Sequence, residues 1–343
     1  MKKLLNILYV TSSNRYLSLD GENIVVLENE DEVGRIPLHN LQGIVTFGYM
    51  GASPALMGAC AKRDISLCFL TQNGRFLARV VGSETGNVVL RKNQYRLSDD
   101  EDKCTEIARN FITGKIYNSK WVIERAIRDY ALRLDVELLK RKSMFLQNSL
   151  RQVSDCLDTQ QLRGIEGEAA SIYFSVFDDL ILQQKEDFYF RSRNKRPPLD
   201  NVNALLSFTY TLLANECASA LQSVGLDPYV GFLHKDRPGR VSLGLDLMEE
   251  LRSVFADRFV ISIINKKVIQ ASGFTRKENG AVIMDDETRK TVISHWQSRK
   301  QDTISHPYLH EKIEWGLVPH VQALLLARFI RGELDGYPPF LWK

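Results

Sequence analysis

The spacing of the apolar residues changes once along this chain, and that change limits the fold more than any other feature. From Leu4 to about Val81 they fall in short β-branched or alternating runs, NILYVT, RYLSL, NIVVLE, EVGRIPL, QGIVTFG, ISLCFL and RFLARVVG, with Asp20-Gly21 and Gly74 marking reversals. One helical insert, SPALMGACAKRD, interrupts them. Alternation of this kind gives each strand one buried face, which predicts a small sandwich or twisted sheet. The stretch Arg91 to Asp102 is polar and acidic, and beyond it the apolar period is that of a helix. Helices are predicted across Lys103–Lys140, Met144–Val153, Thr159–Gln183, Val202–Ser223, Ser242–Asp257 and Ile313–Arg331, with a β-hairpin at Asn279-Gly280. The expected class is α+β and multidomain: a small β-sandwich-like N-terminal domain, residues 1–95, followed by a larger all-α domain, residues 96–343. At 343 residues and 44% hydrophobic content the chain is long enough to bury two such cores.

Charge narrows the function little, because a formal net charge of +3 is too mild to imply nucleic acid by itself and any such argument must rest on local patches. The five cysteines, Cys60, Cys68, Cys104, Cys156 and Cys217, form no C-x-x-C pair, and an odd number suits a disulfide framework poorly. They read as reduced core thiols in a cytoplasmic protein. The opening MKKLLNILYVTSSN lacks a small-residue cleavage site and is better explained by a first strand than by a signal peptide. No apolar run approaches the ~20 residues needed to span a bilayer, so no membrane association is expected.

Chemistry concentrates in three stretches. The first, GFLHKDRPGRVSLGLDLMEELR from Gly231 to Arg252, sets His234 and acids close to Lys235, Arg237 and Arg240. Ser242 is placed to cap a helix on which Leu247, Met248, Leu251, Val254 and Phe255 share one face, and Asp246, Glu249, Glu250 and Ser253 share the other. Alone, this is an ordinary amphipathic helix with a solvated acidic face. The second, QLRGIEGEAASIYF from Gln161 to Phe174, follows Asp158 in a capping-box pattern and so opens a helix. Gly164 and Gly167 inside that helix each cost about 1 kcal/mol relative to alanine, which requires close approach of another backbone or of a ligand beside Glu166 and Arg163. The third, FRSRNKRPPLDNVNALLSFTY from Phe190 to Tyr210, crowds Arg191, Arg193, Lys195 and Arg196 before a Pro-Pro step, which makes it a loop. Such a loop is either a solvated charge run or a source of guanidinium forks for phosphates.

Taken together, Glu166, His234 and one acid from Asp246 and Glu249 give a mixed oxygen and nitrogen ligand set that suits Mg²⁺ or Mn²⁺ better than a structural zinc. The basic side chains around them would hold phosphates against the ion. His306 and His310 are four apart, but Pro307 disfavours the helix a second metal site would need, so packing and hydrogen bonding are their expected roles.

Four motifs then carry a family resemblance. R-G-x-E-G at Arg163 to Gly167, R-P-P-x-D-x-V-N-A-L-L-S-F at Arg196 to Phe208, G-F-L-H at Gly231 to His234 and S-L-x-L-D-L-M-E-E at Ser242 to Glu250 resemble the CRISPR-associated endonuclease that integrates new spacers. The ending, with His306-Pro307, Q-A-L-L-L-A-R at Gln322 to Arg328 and Y-P-P-F-L-W-K at Tyr337 to Lys343, resembles the type I-C form. The resemblance implies a helical catalytic domain, a homodimer, a small ferredoxin-like CRISPR-associated partner bridging two dimers, and double-stranded DNA, both spacer precursor and repeat, as substrate. Carried over by residue, the metal ligands and catalytic groups would be Glu166, His234 and Glu249, with Asp246 beside them and either Glu249 or Asp246 as the closer ligand. Arg163, Arg191, Arg193, Arg196, Lys235, Arg237 and Arg240 would contact DNA phosphates. The implied reaction is attack of a 3′-hydroxyl on a phosphodiester, or hydrolysis when water attacks. The alternative is a DNA-binding structural subunit without catalysis.

Overall fold

The computed structural model describes residues 6–63, 65–72, 74, 76–82 and 88–343. The expected start of the first strand at Leu4 lies outside them. The chain forms two compact units, Met1–Thr85 with Ile283–Gln301, and Gly86–Val282 with Asp302–Lys343.

In the first unit all seven expected strands form: β1 (Ile7–Val10), β2 (Arg15–Asp20), β3 (Asn23–Glu28), β4 (Asp31–Pro37), β5 (Gly43–Phe47), β6 (Ser66–Leu70) and β7 (Phe76–Val80). The order β2-β3-β4 is an antiparallel meander, while β1-β5-β6-β7 is mixed, parallel at β1/β5 and β5/β6. Parallel neighbours need a crossover, and the helical insert supplies one as α1 (Pro54–Lys62), capped by Ser53, whose hydroxyl accepts the Leu56 N–H at 3.2 Å. Alternation in sequence reports a buried face and not the direction of a neighbour, so this mixed sheet was not foreseen. Val10, Leu17, Ile24, Val26, Ile44, Leu56, Cys60 and Leu67 form one core from both sheets and the helix. A helix, Asp286–Gln301, also belongs to this unit and was missed because only Val292, Ile293 and Trp296 of its mostly polar run are buried apolar residues.

The second unit is mainly helical. The polar stretch that marks the expected boundary is itself largely helical, within α2 (Val88–Asp99), because the helix buries Leu90 and Gln94 on one face. Asp100 then caps α3 (Glu101–Tyr130), and Asp135 caps α4 (Val136–Ser154), which breaks the single helix expected over 103–140. Asp158 caps α5 (Thr159–Phe174) as expected, and Asp200 caps α6 (Asn201–Ser223). Each cap carboxylate accepts a backbone N–H three residues on, at 2.7–3.0 Å. Gly280, at φ 79°, makes the expected Asn-Gly turn. All five cysteines are buried free thiols. Among the described residues no helix is long and apolar enough to cross a membrane.

The helix that carries the acids departs most from expectation. It runs as α7 (Ser242–Leu251), then a π-helical turn over Arg252–Asp257, then α8 (Arg258–Asn265). Ser242 does not cap it: Val241 holds that position, and the Ser242 hydroxyl donates to the Lys235 carbonyl. Nor is its acidic face solvated, since Asp246, Glu249, Glu250 and Ser253 are all buried, at 3% exposure or less. Glu250 shows why the burial is tolerated. Its carboxylate accepts the Tyr337 hydroxyl at 2.5 Å, the Phe340 N–H at 2.6 Å and the Gln322 amide at 3.0 Å, so the C-terminal tail is bonded to the helix. Asn118 of α3 completes the tie, donating to the carbonyls of Glu250 and Phe340 and accepting the Trp342 N–H.

Burial pushes the Glu250 carboxyl up to about 8 despite those donors. A carboxyl that holds its proton more tightly when folded contributes most below the unfolded value near 4.5, and that contribution is lost as pH rises toward 8. Glu250→Gln should therefore flatten the fall in stability between those pH values, leaving the smaller falls from Asp257, whose carboxyl burial raises to about 6, and from Asp179, which burial also raises, set against the rise from His306, whose imidazole burial lowers to about 4. Denaturant unfolding of both proteins across that range measures it.

Candidate functional site

Asp246, one turn into α7, organises the segment before it. One of its oxygens accepts the N–H groups of Phe232 and Leu233 at 2.7 and 3.0 Å. The other accepts the His234 N–H at 3.0 Å and lies 2.6 Å from His234 Nδ1. A carboxylate at Nδ1 fixes the proton there and leaves Nε2 with its lone pair outward, the arrangement used to orient metal-ligating imidazoles. Gly231 is required for this packing, since a Cβ there would lie 2.8 Å from an Asp246 oxygen and 2.9 Å from Ser242 Cβ.

Helix α5 docks on the same segment through Arg163, whose Nε and Nη2 donate to the Leu233 carbonyl at 3.1 and 2.6 Å. Glu166 follows one turn later, with its side chain 27% exposed. From α7 comes Glu249, 3% exposed, one oxygen held by Arg252 Nη2 at 2.6 Å and the other by Lys115 Nζ at 2.7 Å. Lys115, on α3, also pairs with Glu166, so one ammonium bridges carboxylates from two further helices. Burial alone would raise the Glu249 carboxyl, but Arg252, Lys115 and His234 outweigh it and hold it at about 2.

Sequence reasoning brought Glu166, His234, Asp246 and Glu249 together and missed Lys115. Its signal was a lysine on the apolar stripe of α3 formed by Ala108, Phe111, Ile112 and Val122, where a solvated charge has no place. Arg252 was likewise overlooked. It lies 5.0 Å from the Tyr210 ring, Tyr210 donates to Asp257 at 2.5 Å, and the π-helical turn brings these groups behind Glu249. Among the described residues, no three His, Cys, Asp or Glu side chains stand gathered as a ready ligand cluster. The donor chemistry nevertheless fits a divalent cation: two oxygen donors already share one positive charge, and an oriented imidazole acts electrostatically on one of them, Glu249.

The basic side chains divide into two groups. Arg163 is committed to Leu233. Arg193 turns inward, donating to Asn203 Oδ1 at 2.7 Å and Ser207 Oγ at 3.1 Å under the Tyr210 ring. Arg191 lies over Tyr189, and Lys195, Arg196, Lys235 and Arg237 are exposed, with Arg240 half-buried. Burial first, then the charges of Arg193, Arg196, Arg252 and Arg240, depress the Lys195 ammonium, so cations from the loop and from the segment before α7 converge. Gly164 and Gly167 face open space, with no atom within 4 Å of a Cβ built at either, so neither tight helix packing nor a second backbone explains them. His306 is buried, with Nε2 3.2 Å from Gln322 and its imidazole pushed down to about 4 by burial, in keeping with a packing role.

The family model described as CRISPR associated protein Cas1 matches residues 8–298. A CRISPR-associated endonuclease Cas1 1 of Chlorobaculum tepidum is 50% identical over the full length of both chains. A CRISPR-associated endonuclease Cas1 2 of Rhodospirillum rubrum is also 50% identical, again over the whole of each. Among solved structures, a casposase bound to integration product superposes with a TM-score of 0.84 at 24% identity, covering 99% of this chain and 95% of that one, which establishes the likeness of fold.

Gly164 and Gly167 yield a stability prediction. With no packing neighbour, Gly164→Ala and Gly167→Ala should each stabilise the protein by roughly 1 kcal/mol through helix propensity. Gly231→Ala should destabilise it by about 1–3 kcal/mol through overpacking against Asp246. Denaturant unfolding of the three variants distinguishes the two kinds of glycine.

Proposed function

The chain belongs to the Cas1 family of CRISPR-associated proteins, and from that membership we propose that it is a metal-dependent DNA endonuclease and integrase that joins spacer DNA into a CRISPR array. The observation that carries the proposal is the meeting of Glu166 and Glu249, from separate helices, on one cation beside an imidazole oriented by Asp246. Glu166, Glu249 and His234 Nε2 would hold Mg²⁺ or Mn²⁺. Bound there, the ion polarises the phosphoryl oxygen and stabilises charge on the entering or leaving oxygen. Asp246 is assigned the role of positioning His234, because all its acceptor capacity is taken by three N–H groups and the imidazole.

The remaining residues define the approach of DNA. The bare surface at Gly164 and Gly167 leaves room for a phosphodiester to reach Glu166. Lys195, Arg196 and Arg240 converge near Arg252, and with Arg191, Lys235 and Arg237 they hold the backbone without reading sequence. Arg163 and Arg193 are assigned positioning roles instead, since both guanidinium groups bond the protein itself. The incoming 3′-hydroxyl attacks the phosphorus, a 3′-oxygen leaves, and one phosphodiester replaces another; water in place of the hydroxyl gives hydrolysis. The working assembly is taken to be a homodimer, with the β-rich unit serving dimer or partner contacts, joined to a small ferredoxin-like CRISPR-associated partner of the type I-C form.

Purified protein with that partner should join a 3′-hydroxyl duplex to repeat DNA only when Mn²⁺ or Mg²⁺ is present. Glu166→Ala should abolish joining, and Asp246→Asn should lower it by about tenfold to a hundredfold through loss of imidazole orientation. Gel-resolved strand-transfer assays read all three. Joining that persists in chelator or survives Glu166→Ala overturns the metal assignment, while salt-dependent duplex binding without joining supports the structural-subunit alternative.

A further inference from the structure

We propose that Lys115 is a built-in counter-cation that holds Glu166 and Glu249 together and must yield its place to the divalent ion, thereby setting the metal concentration at which the site loads. The inference rests on the metal-site reading above and adds a residue and a mechanism of control to it.

Three observations carry it. The first is the double pairing: a single ammonium, on a side chain only 10% exposed, forms ion pairs with carboxylates from α5 and α7. Two carboxylates close to one another, one of them buried, repel, and a positive charge between them removes that repulsion in the same way as a metal ion. The second is the contrast with Arg252, which holds the other Glu249 oxygen at 2.6 Å and stacks on Tyr210 at 5.0 Å. Arg252 is fixed by its planar fork and its ring contact, whereas lysine carries a compact charge on a flexible stem and is the partner able to withdraw. The third is a place for it to go. Lys115 borders a small cavity of about 10 Å³, space for one water-sized group, which is also lined by Ser253, Asp257 and Arg252, the last with its guanidinium engaged by Glu249. The Ser253 hydroxyl there is buried, 3% exposed, and has no hydrogen-bond partner among the described residues, and Asp257 supplies a carboxylate whose Oδ1 accepts Tyr210. An ammonium swung from Glu166 and Glu249 into this cavity gains both.

The test measures Mn²⁺ binding to the full-length protein by electron paramagnetic resonance, without reference to activity. Lys115→Met removes the competing charge and should tighten Mn²⁺ binding by about tenfold or more. In chelator, Lys115→Met should melt below wild type, and saturating Mn²⁺ should close the gap. Lys115→Arg, which keeps the charge, should stay within about threefold of wild type in Mn²⁺ affinity. Unchanged or weakened affinity in Lys115→Met overturns the inference. Glu166→Gln separates it from the underlying reading: if that change leaves Mn²⁺ binding intact, the site itself is wrong, whereas if it weakens binding and Lys115→Met fails to tighten it, only the role of Lys115 falls. Should Lys115→Met not fold, Lys115→Gln is measured instead. Folding of either variant that depends on Mn²⁺ supports the proposal, and failure of both at all Mn²⁺ concentrations assigns Lys115 a purely structural role and overturns it.

Discussion

Three carboxylates buried on one short helix constrain everything around them. An unpaired buried polar group, charged or neutral, is too costly to persist, so Asp246, Glu249 and Glu250 each require a dedicated set of partners, and each set recruits a different part of the second unit. Asp246 gathers the backbone of Phe232 to His234. Glu249 draws Lys115 from α3 and Arg252 from the π-helical turn. Glu250 takes the tail through Tyr337 and Phe340 and the helix Val318–Ile330 through Gln322. Helix, loop and C-terminus are thus joined at α7 by polar contacts rather than by apolar packing alone, and the geometry of the site follows from satisfying those charges.

This explains both what was legible in the sequence and what was not. Strand runs such as NIVVLE, and caps such as Asp158, are local signals, and the chain obeys them. The acidic side of α7 was read as solvated because a helical period separates apolar from polar residues without knowing what meets the polar side. Here that side meets Lys115, Tyr337 and a run of backbone N–H groups, partners 87 and more residues away or hidden in an irregular segment. Glu166, Asp246, Glu249 and His234 were nominated as a set because motif order carries information that periodicity lacks. Lys115 was not, although a lysine on an apolar stripe was visible, because its meaning depends on two carboxylates that only the tertiary structure brings to it.

The same constraint accounts for the π-helical turn at Arg252–Asp257. A continuous α-helix would carry residues three and four apart along one face in even steps, and the wider turn shifts that register just after Glu249. Arg252 reaches back to Glu249 while Asp257 meets Tyr210, so one turn of backbone carries a cation and a carboxylate to separate partners. Local π geometry is frequent at functional sites for this reason, since it re-aims side chains without ending the helix.

Sequence left open whether Glu249 or Asp246 stands closer to an ion, and the polar accounting supplies an argument. A carboxylate that already accepts three N–H groups and an imidazole has no lone pair directed at a solvent-facing cation, and moving it would strip the backbone of Phe232 to His234 of its partner. Glu249, by contrast, is held only by cationic side chains, one of them flexible. Exchanging an ammonium for a divalent ion leaves every backbone group satisfied, which favours Glu249 as the ligand on α7 and Asp246 as the group that aims His234. The extra methylene of glutamate fits that division, because a longer side chain can follow the ion while Arg252 keeps hold of its other oxygen.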